Sequence, residues 1–466
     1  MTIVAVDDTD SRTDGMCTTY VATLLAERFA SAGGRVRRRL LVRLNPAVKH
    51  KTRGNAAVAL HVDGIDAGDA FDLAYETVGE RSVVDDPRTS PGVVVADLDV
   101  SADPFTPSTS PIPTDVGEFA ARALRERLTV DEAVALADEH GFRHAGLGTG
   151  GDADADSGRG DPVSGRGRIG ALAAVGAPVA FDDWTYERIS YREFDRCGTS
   201  REVDAESVFA AAEAEYPTVW DTVDRGTGEV VCVPNAPGPI LHGIRGDDPV
   251  ACRAVADAID SEPIDRAATF LTNQGTDAHV EPGRIGDLRD GAGYRLAGVV
   301  ADAPETKRGG HVHVEVESPN DDASLLCVAF APTGRFRDRV RSLRPGDRVT
   351  VCGEHEVRAV ASGTGANPTG SPRRSTLKLE KLAVRDLVRT ESVTPTCPDC
   401  ERTMSSAGRG QGYRCRDCGT SASGRVDRPV ERALSETWYE VPPAARRHVA
   451  KPLIRGGFDA PSHPER

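Results

Sequence analysis

The segment VDDTDSRTDGMCTTY at 6–20 sets Asp7, Asp8, Asp10 and Asp14 among hydroxyl and thiol side chains, directly after the apolar run TIVAV. Hard carboxylate oxygens crowded in this way suit Mg2+, which in turn bridges phosphate oxygens. Asp7, Asp8 and Asp10 are the candidate catalytic residues and magnesium ligands. The alternative is a solvated aspartate-rich turn with Asp10 or Ser11 capping a helix. Lys49 and Lys51, two of only six lysines in the chain, lie close together in NPAVKHKTRGN (45–55), followed by Arg53 and Gly54. Such charges either contact phosphates, as in an ATP site, or form a chance pair on a loop. In GRGRIGALAAVG (165–176), Gly167, Arg168 and Gly170 open a helix whose backbone N–H groups can approach a phosphate. No Walker loop GxxxxGK[ST] occurs, so a nucleotide bound here is held by other means.

A second chemical signal is Cys397, Cys400, Cys415 and Cys418, spaced C-x2-C-x14-C-x2-C. Two tight turns that each supply two thiolates make a tetrahedral zinc site, and four sulfur ligands leave no open position for catalysis. A pair of disulfides is the alternative. Arg409, Tyr413, Arg414 and Arg416, between and within the knuckles, give this ribbon a nucleic-acid-facing character. Cys17, Cys197, Cys232, Cys252, Cys327 and Cys352 are dispersed and read as reduced core thiols.

Composition bounds these readings. The 466 residues are enough for about three or four domains. Against 57 basic residues stand 72 acidic ones, for a net charge of −15. An acidic chain poor in lysine fits a salt-rich cytoplasm, in which carboxylates retain water; a genome that encodes Arg in place of Lys is the plainer account. At about 1 M salt the screening length is about 3 Å, so net charge does not exclude a nucleic-acid partner. No apolar run reaches the roughly 18 residues that a membrane helix needs, and the chain opens on a strand pattern with no leader. A cytoplasmic protein is expected, with no membrane and no obligate protein partner.

Several elements must position these residues. TIVAV reads as a buried strand, CTTYVATLLAERFASAGG as a helix closed by a Gly pair, and VRRRLLVRLNP and NAAVALHV as strands. Between 200 and 285, helix, strand, helix and strand alternate, which suits a ferredoxin-like layer. From 294 to 382 five short strands (294–301, 311–318, 324–331, 347–354 and 375–382) have the pattern of an OB barrel. An OB fold followed by a zinc ribbon is a recurrent nucleic-acid-binding pair. The tracts at 150–165 and 361–374 are too polar and Gly-rich to pack, and read as surface insertions.

VDDTDS with GMCTTY, LVRLNPAVKHKTRGNAAV, RGRIGALAAVG, NAPGPILHGIRG, TNQGTDAH, CPDC with YRCRDCG, and VPPAARRHVAKPLIR together resemble the archaeal isoleucine-tRNA 2-agmatinylcytidine synthetase family. The blocks occur in the same order, from the first strand to about residue 455. The resemblance implies an ATP-dependent ligase that joins agmatine to C2 of the wobble cytidine of the isoleucine tRNA with the CAU anticodon, so that the tRNA reads AUA and not AUG. It implies a multidomain α+β fold. An atypical kinase-like domain (1–199) and a ferredoxin-like domain (200–287) precede an OB-fold domain (288–390), a zinc ribbon (394–420) and a basic C-terminal tail (421–466). Thr18, the residue after the GMC triplet, falls on the family's phosphorylated threonine.

The C2 oxygen of cytosine leaves poorly, so phosphorus from ATP must activate it before an amine displaces it. The amine of agmatine, with a pKa near that of lysine (about 10.4), requires a base and an acidic pocket. His242, Asn273, Gln274, Asp277 and His279 are the candidates for binding agmatine or supplying that base; a lone histidine is more often a satisfied structural residue, which is the alternative for both histidines. The wobble base leaves its stack at a cost on the order of a few kcal/mol. The OB domain and the ribbon, through Arg414 and Arg416, and the tail, through Arg446, Arg447, His448 and Lys451, would grip the tRNA and offset that cost; the tail could instead pack back on the ribbon. The competing reading is a non-catalytic OB and zinc-ribbon protein that binds single-stranded nucleic acid. A third keeps the architecture but uses another amine.

Overall fold

The computed structural model describes residues 1–11, 13–49, 54–98, 104–105, 110–148, 165–359, 373–447 and 450–459. Lys51, Arg53 and His448, the tract at 150–164 and the loop at 361–372 lie outside the described residues.

The N-terminal half is one nine-stranded sheet with helices on both faces. Its strands are β1 (Thr2–Asp7), β2 (Arg35–Arg43), β3 (Ala56–Asp63), β4 (Gly92–Asp97), β5 (Arg143–Gly146), β6 (Thr185–Arg192), β7 (Val219–Trp220), β10 (Ile240–Gly246) and β11 (Ile264–Thr272), while β8 (Val223–Asp224) and β9 (Glu229–Val230) form a separate hairpin. The order is β5-β4-β1-β3-β2-β11-β6-β10-β7, and every pairing is antiparallel except β2 with β11. That parallel seam joins the first half of the sheet to the second, so the sheet crosses residue 199 without a break.

TIVAV is apolar throughout because β1 is buried on both faces. Ile3 and Ala5 face helices α3 (Thr114–Ala123), α4 (Val130–Glu139) and α5 (Gly167–Ala180). Val4 and Val6 face α1 (Thr18–Ser31) and α2 (Ala67–Arg81). The expected Gly pair closes α1: Gly33 has φ +88°, and the N–H of Gly34 reaches back to the Phe29 carbonyl at 2.8 Å. Helices α6 (Ala205–Ala214) and α7 (Pro249–Ala258) cover the far end of the sheet.

In the second body, β13 (Gly293–Val300), β15 (Val312–Glu317), β16 (Ser324–Ala329), β17 (Arg348–Ala359) and β18 (Arg373–Asp386) pair around a ring that the β13 to β15 contact closes. These are the five expected strands. Two of them, β17 and β18, extend well past the pattern as one long antiparallel pair. Short β12 (Val280–Pro282) and β14 (Glu305–Thr306) flank the ring, and α8 (Arg335–Arg341) packs Phe336 and Val340 into its core. Strand β19 (Thr390–Val393) pairs with β23 (Val426–Pro429), and β20 (Ser405–Ser406), β21 (Tyr413–Arg414) and β22 (Ser421–Ala422) form the ribbon between them. The chain then returns: β24 (Trp438–Glu440) pairs with β18, so the segment expected to be a basic tail from 421 first completes the ribbon region with β22 and β23 and then adds a strand to the second sheet.

Helix α5 sits in the centre of the first body because its side chains are small. A Cβ on Gly176 would stand 2.2 Å from the Val116 carbonyl oxygen of α3. Gly176→Ala is therefore expected to destabilise the protein by about 1–3 kcal/mol through overpacking, read as a lowered midpoint in thermal unfolding.

Candidate functional site

A cavity of about 470 Å3 opens at the ends of β1 and β2, beneath the start of α1 and α5. It gathers residues remote in sequence: Asp7, Asp8, Asp10, Thr18, Lys49, Gly54, Gly167 and Gly170 all line it. A continuing strand would send Asp7 and Asp8 to opposite faces. Asp8 instead has φ +60°, a left-handed conformation that Asp tolerates, and both carboxylates line the cavity. The Asp8 N–H donates to Asp7 Oδ1 at 2.7 Å, fixing the turn.

Burial raises the pKa of Asp7 well above the ordinary carboxylate range, and the charges of Asp8 and Asp10 raise it further. Burial also lifts Asp8, to about 6, against the pull of Arg166. The Arg166 guanidinium donates to Asp8 Oδ2 at 2.7 Å and to the Arg88 carbonyl at 2.6 Å. Ser90 holds that arginine in place, its hydroxyl accepting the Gly165 and Arg166 N–H groups at 2.9 and 3.0 Å. Sequence reasoning placed Arg168 here. Arg168 turns instead to the Gly165 carbonyl at 3.0 Å and does not line the cavity.

The glycines of α5 let the helix press on Asp7. A Cβ on Gly170 would stand 1.9 Å from Asp7 Oδ2, and one on Gly167 would stand 2.6 Å from the Asp7 carbonyl oxygen. Thr18 opens α1, and its hydroxyl accepts from the Thr9 hydroxyl at 3.1 Å. Ser11 and Asp14 shape the loop before it: Ser11 Oγ donates to Asp86 at 2.6 Å and accepts the Asp14 N–H at 3.3 Å. Cys17, expected in the core, is only partly buried and lines the cavity, with Sγ 3.1 Å from the Thr19 hydroxyl.

Across the cavity stand Arg43 and Glu187, which the sequence did not single out. Arg43 Nε donates to Gln274 at 2.8 Å, and Glu187 is 3.5 Å from Arg43 and 3.4 Å from Arg245. The candidate agmatine residues lie behind this wall. Asn273 Oδ1 accepts the Arg43 N–H at 2.7 Å, Asn273 Nδ2 donates to the Arg43 carbonyl at 3.0 Å, and His279 Nε2 reaches the same carbonyl at 3.0 Å. Burial lowers the pKa of His279 to about 4, so its ring is neutral and donates that hydrogen bond. Asp277 Oδ1 accepts the main-chain N–H of Lys451 at 2.8 Å. His242 pairs in register with Ser190, which alternates with the cavity residues Glu187 and Ile189, so it faces the reverse of the sheet. Burial lowers its pKa to about 4 as well.

Cys397, Cys400, Cys415 and Cys418 bring their sulfur atoms within 4.8 Å of one another, the one such metal-ligating cluster among the described residues. The two knuckles repeat one geometry: the Glu401 N–H returns to the Cys397 carbonyl at 2.9 Å and the Gly419 N–H to the Cys415 carbonyl at 3.1 Å, with Glu401 and Gly419 both at positive φ. Arg409, Arg414 and Arg416 are exposed on this ribbon. The basic residues after it are placed otherwise. Arg446 is 4 % exposed between Asp221 at 2.7 Å and Glu440 at 2.8 Å. Arg447 pairs with Glu354 and Glu380, and Lys451 with Asp183. This segment packs on the second sheet and the far end of the first, not on the ribbon.

Three family models match the chain: the TiaS TCKD domain over 3–149, the TiaS FLD domain over 165–279 and the TiaS C-terminal zinc ribbon domain over 394–434. The isoleucine-tRNA 2-agmatinylcytidine synthetase TiaS of Haloquadratum walsbyi is 50 % identical over 503 residues, covering 100 % of both chains. That of Archaeoglobus fulgidus is 39 % identical over 455 residues, 97 % of each. Among solved structures, a complex of TiaS with its isoleucine tRNA and ATP superposes with a TM-score of 0.80 at 38 % identity over 97 % of each chain. A complex of TiaS with the same tRNA, AMPCPP and agmatine does so with a TM-score of 0.78 at 36 % identity, also over 97 % of each. Likeness of this extent takes in the aspartate cavity, both sheets and the four-thiol ribbon alike, and by it the chain belongs to the isoleucine-tRNA 2-agmatinylcytidine synthetase family.

Proposed function

We infer that this chain is an ATP-dependent ligase that attaches agmatine to C2 of the wobble cytidine of the isoleucine tRNA with the CAU anticodon, giving 2-agmatinylcytidine. The change moves decoding from AUG to AUA. The observation that carries this reading is full-length likeness to isoleucine-tRNA 2-agmatinylcytidine synthetases in a chain whose aspartates, Thr18 and Lys49 share one cavity. Its volume of about 470 Å3 lies in the range of small-molecule sites. A single-strand-binding protein has no use for such a cavity, and that alternative is not favoured.

Within the cavity, Asp7, Asp8 and Asp10 would hold Mg2+. Clustered carboxylates, two of them pushed up in pKa by burial, fit a divalent cation, which relieves their mutual repulsion. The ion supplies neutralisation of charge on the phosphates of ATP. Lys49, Arg166 and Gly54 contribute the cationic and open wall for those phosphates, and Lys51 and Arg53, which lie between Lys49 and Gly54 in the sequence, are proposed to add to it. Gly167 and Gly170 act there by admitting Asp7. Thr18 is proposed as the phosphate acceptor. Glu187 is the cavity carboxylate farthest along the chain from the aspartates, and we assign it to the cationic end of agmatine, in place of His242, Asn273, Gln274 and Asp277.

Residues 1–199 are read as a kinase-like domain, 200–287 as ferredoxin-like, 288–390 as an OB fold supported by its closed five-strand ring, 394–420 together with β22 and β23 as the ribbon, and the chain after β23 as the returning tail. Cys397, Cys400, Cys415 and Cys418 hold a structural zinc, and Arg414 and Arg416 face the tRNA. A tRNA substrate places the enzyme in the cytoplasm, and no helix of the described residues is long and apolar enough to cross a membrane.

Asp8→Ala and Thr18→Ala are each expected to abolish 2-agmatinylcytidine formation, measured by mass spectrometry of the anticodon nucleoside, while both variants remain folded with zinc content as in the wild type. Turnover at the wild-type rate in either variant removes that residue from the mechanism. ATP consumption should require both agmatine and the CAU-anticodon tRNA; a nucleoside product without the mass of agmatine refutes the choice of amine. Chelation of zinc should weaken tRNA binding and leave ATP binding in place, because the ribbon core of Cys397, Met404 and Cys415 is too small to persist without the ion.

A further inference from the structure

We propose that the C-terminal segment at 440–447 and 450–459 is a strap that positions Arg43 in the cavity, acting through the loop 273–279. The inference rests on reading that cavity as the small-substrate site.

The strap is fastened to the second body first. Strand β24, which leads into the strap, pairs with β18, and Lys381 of β18 donates to the Lys451 carbonyl. Arg447 spans Glu354 and Glu380, and the Leu453 N–H donates to Glu440 at 2.9 Å. Phe458 stacks on Trp438 at 5.2 Å, with the Arg295 guanidinium at 4.8 Å from its ring. From this base the strap reaches the first body. The Lys451 N–H donates to Asp277 at 2.8 Å and its ammonium to Asp183 at 2.9 Å. Arg455, only 7 % exposed, donates to Asp247 at 2.6 Å, to Asp183 at 3.2 Å and to the carbonyl of Gly275.

The loop so gripped has no slack. Asn273, Gln274 and Thr276 are fully buried, and Gly275, at φ +70°, presses on Trp220, whose ring would be 2.4 Å from a Cβ there. On its other side the loop makes the four hydrogen bonds to Arg43 already described, two through Asn273 and one each through Gln274 and His279. Lys451 and Arg455 thus touch one side of a buried loop whose other side sets both the backbone and the guanidinium of Arg43. Asp277 is on this account an anchor for the strap and not a ligand of the substrate.

Two variants approach the contact from opposite sides, Arg455→Gln from the strap and Asp277→Asn from the loop; Arg455→Lys retains the charge. Both are expected to raise KM for agmatine or ATP by about tenfold or more, the scale on which displacement by a remote residue acts. Affinity for tRNA should stay within about twofold of wild type, the scale of an energetically near-neutral substitution, and Arg455→Lys should recover part of the loss. Unchanged KM in both variants overturns the proposal. So does a loss confined to tRNA affinity, a fall in kcat with KM unmoved, or loss of soluble protein in both, which would assign the residues to folding. Asp8→Ala tests the cavity itself: if it abolishes product while both strap variants behave as wild type, the cavity reading stands and the strap fails.

Discussion

The first body is organised around an arrangement that physics disfavours: three aspartates gathered at the end of one strand, with Asp7 and Asp8 shielded from water. Desolvation and mutual repulsion both favour protonation, and the raised pKa values of Asp7 and Asp8 record that cost. The surrounding fold holds them there. A left-handed Asp8 puts consecutive carboxylates on one side, Arg166 sets one guanidinium against them, and Ser90 fixes that arginine. Helix α5 can lie over Asp7 only because Gly167 and Gly170 carry no side chain. Such local strain persists where the structure around it over-determines the conformation, as the two-sided burial of β1 does here.

How much of this was legible in the sequence depended on whether the signal was local. The apolar run of β1, the Gly pair after α1, the five strands of the ring and the paired cysteines each depend on neighbours within a few residues, and each could be read. The aspartates were legible as a cluster for the same reason. The opposite wall was not, because Arg43 and Glu187 meet only where β2, β11 and β6 lie side by side in the sheet. Nothing in RRRLLVRLN or TYERISY distinguishes those two charges from surface ones.

The same limit explains the residues placed differently by the fold. His242 sits in a glycine-rich block that reads as a binding loop, yet strand alternation turns it away from the cavity. Asn273, Gln274 and His279 look like ligands because they are polar and closely spaced; they are instead the hydrogen-bonding frame of one arginine. Between Arg166 and Arg168 the sequence offers no preference, and only the cap geometry at the start of α5 decides which one meets Asp8.

Charge in this chain therefore has two separate uses. In concentrated salt, with a screening length of about 3 Å at about 1 M, exposed ion pairs contribute little, while pairs withdrawn from solvent are screened much less. The joints between elements are built from the second kind: Arg446 with Asp221 and Glu440, Arg432 with Asp347, and Arg192 with Glu262 are all nearly inaccessible. Each uses arginine, whose planar fork can satisfy two acceptors at once and is more weakly hydrated than an ammonium. The excess of carboxylate is left to the surface, and on the ribbon Arg409, Arg414 and Arg416 stand exposed. A polyanion meeting this protein would be repelled over most of the surface at low salt. At high salt that repulsion fades beyond contact distance, and the few exposed arginines of the ribbon can select where it binds.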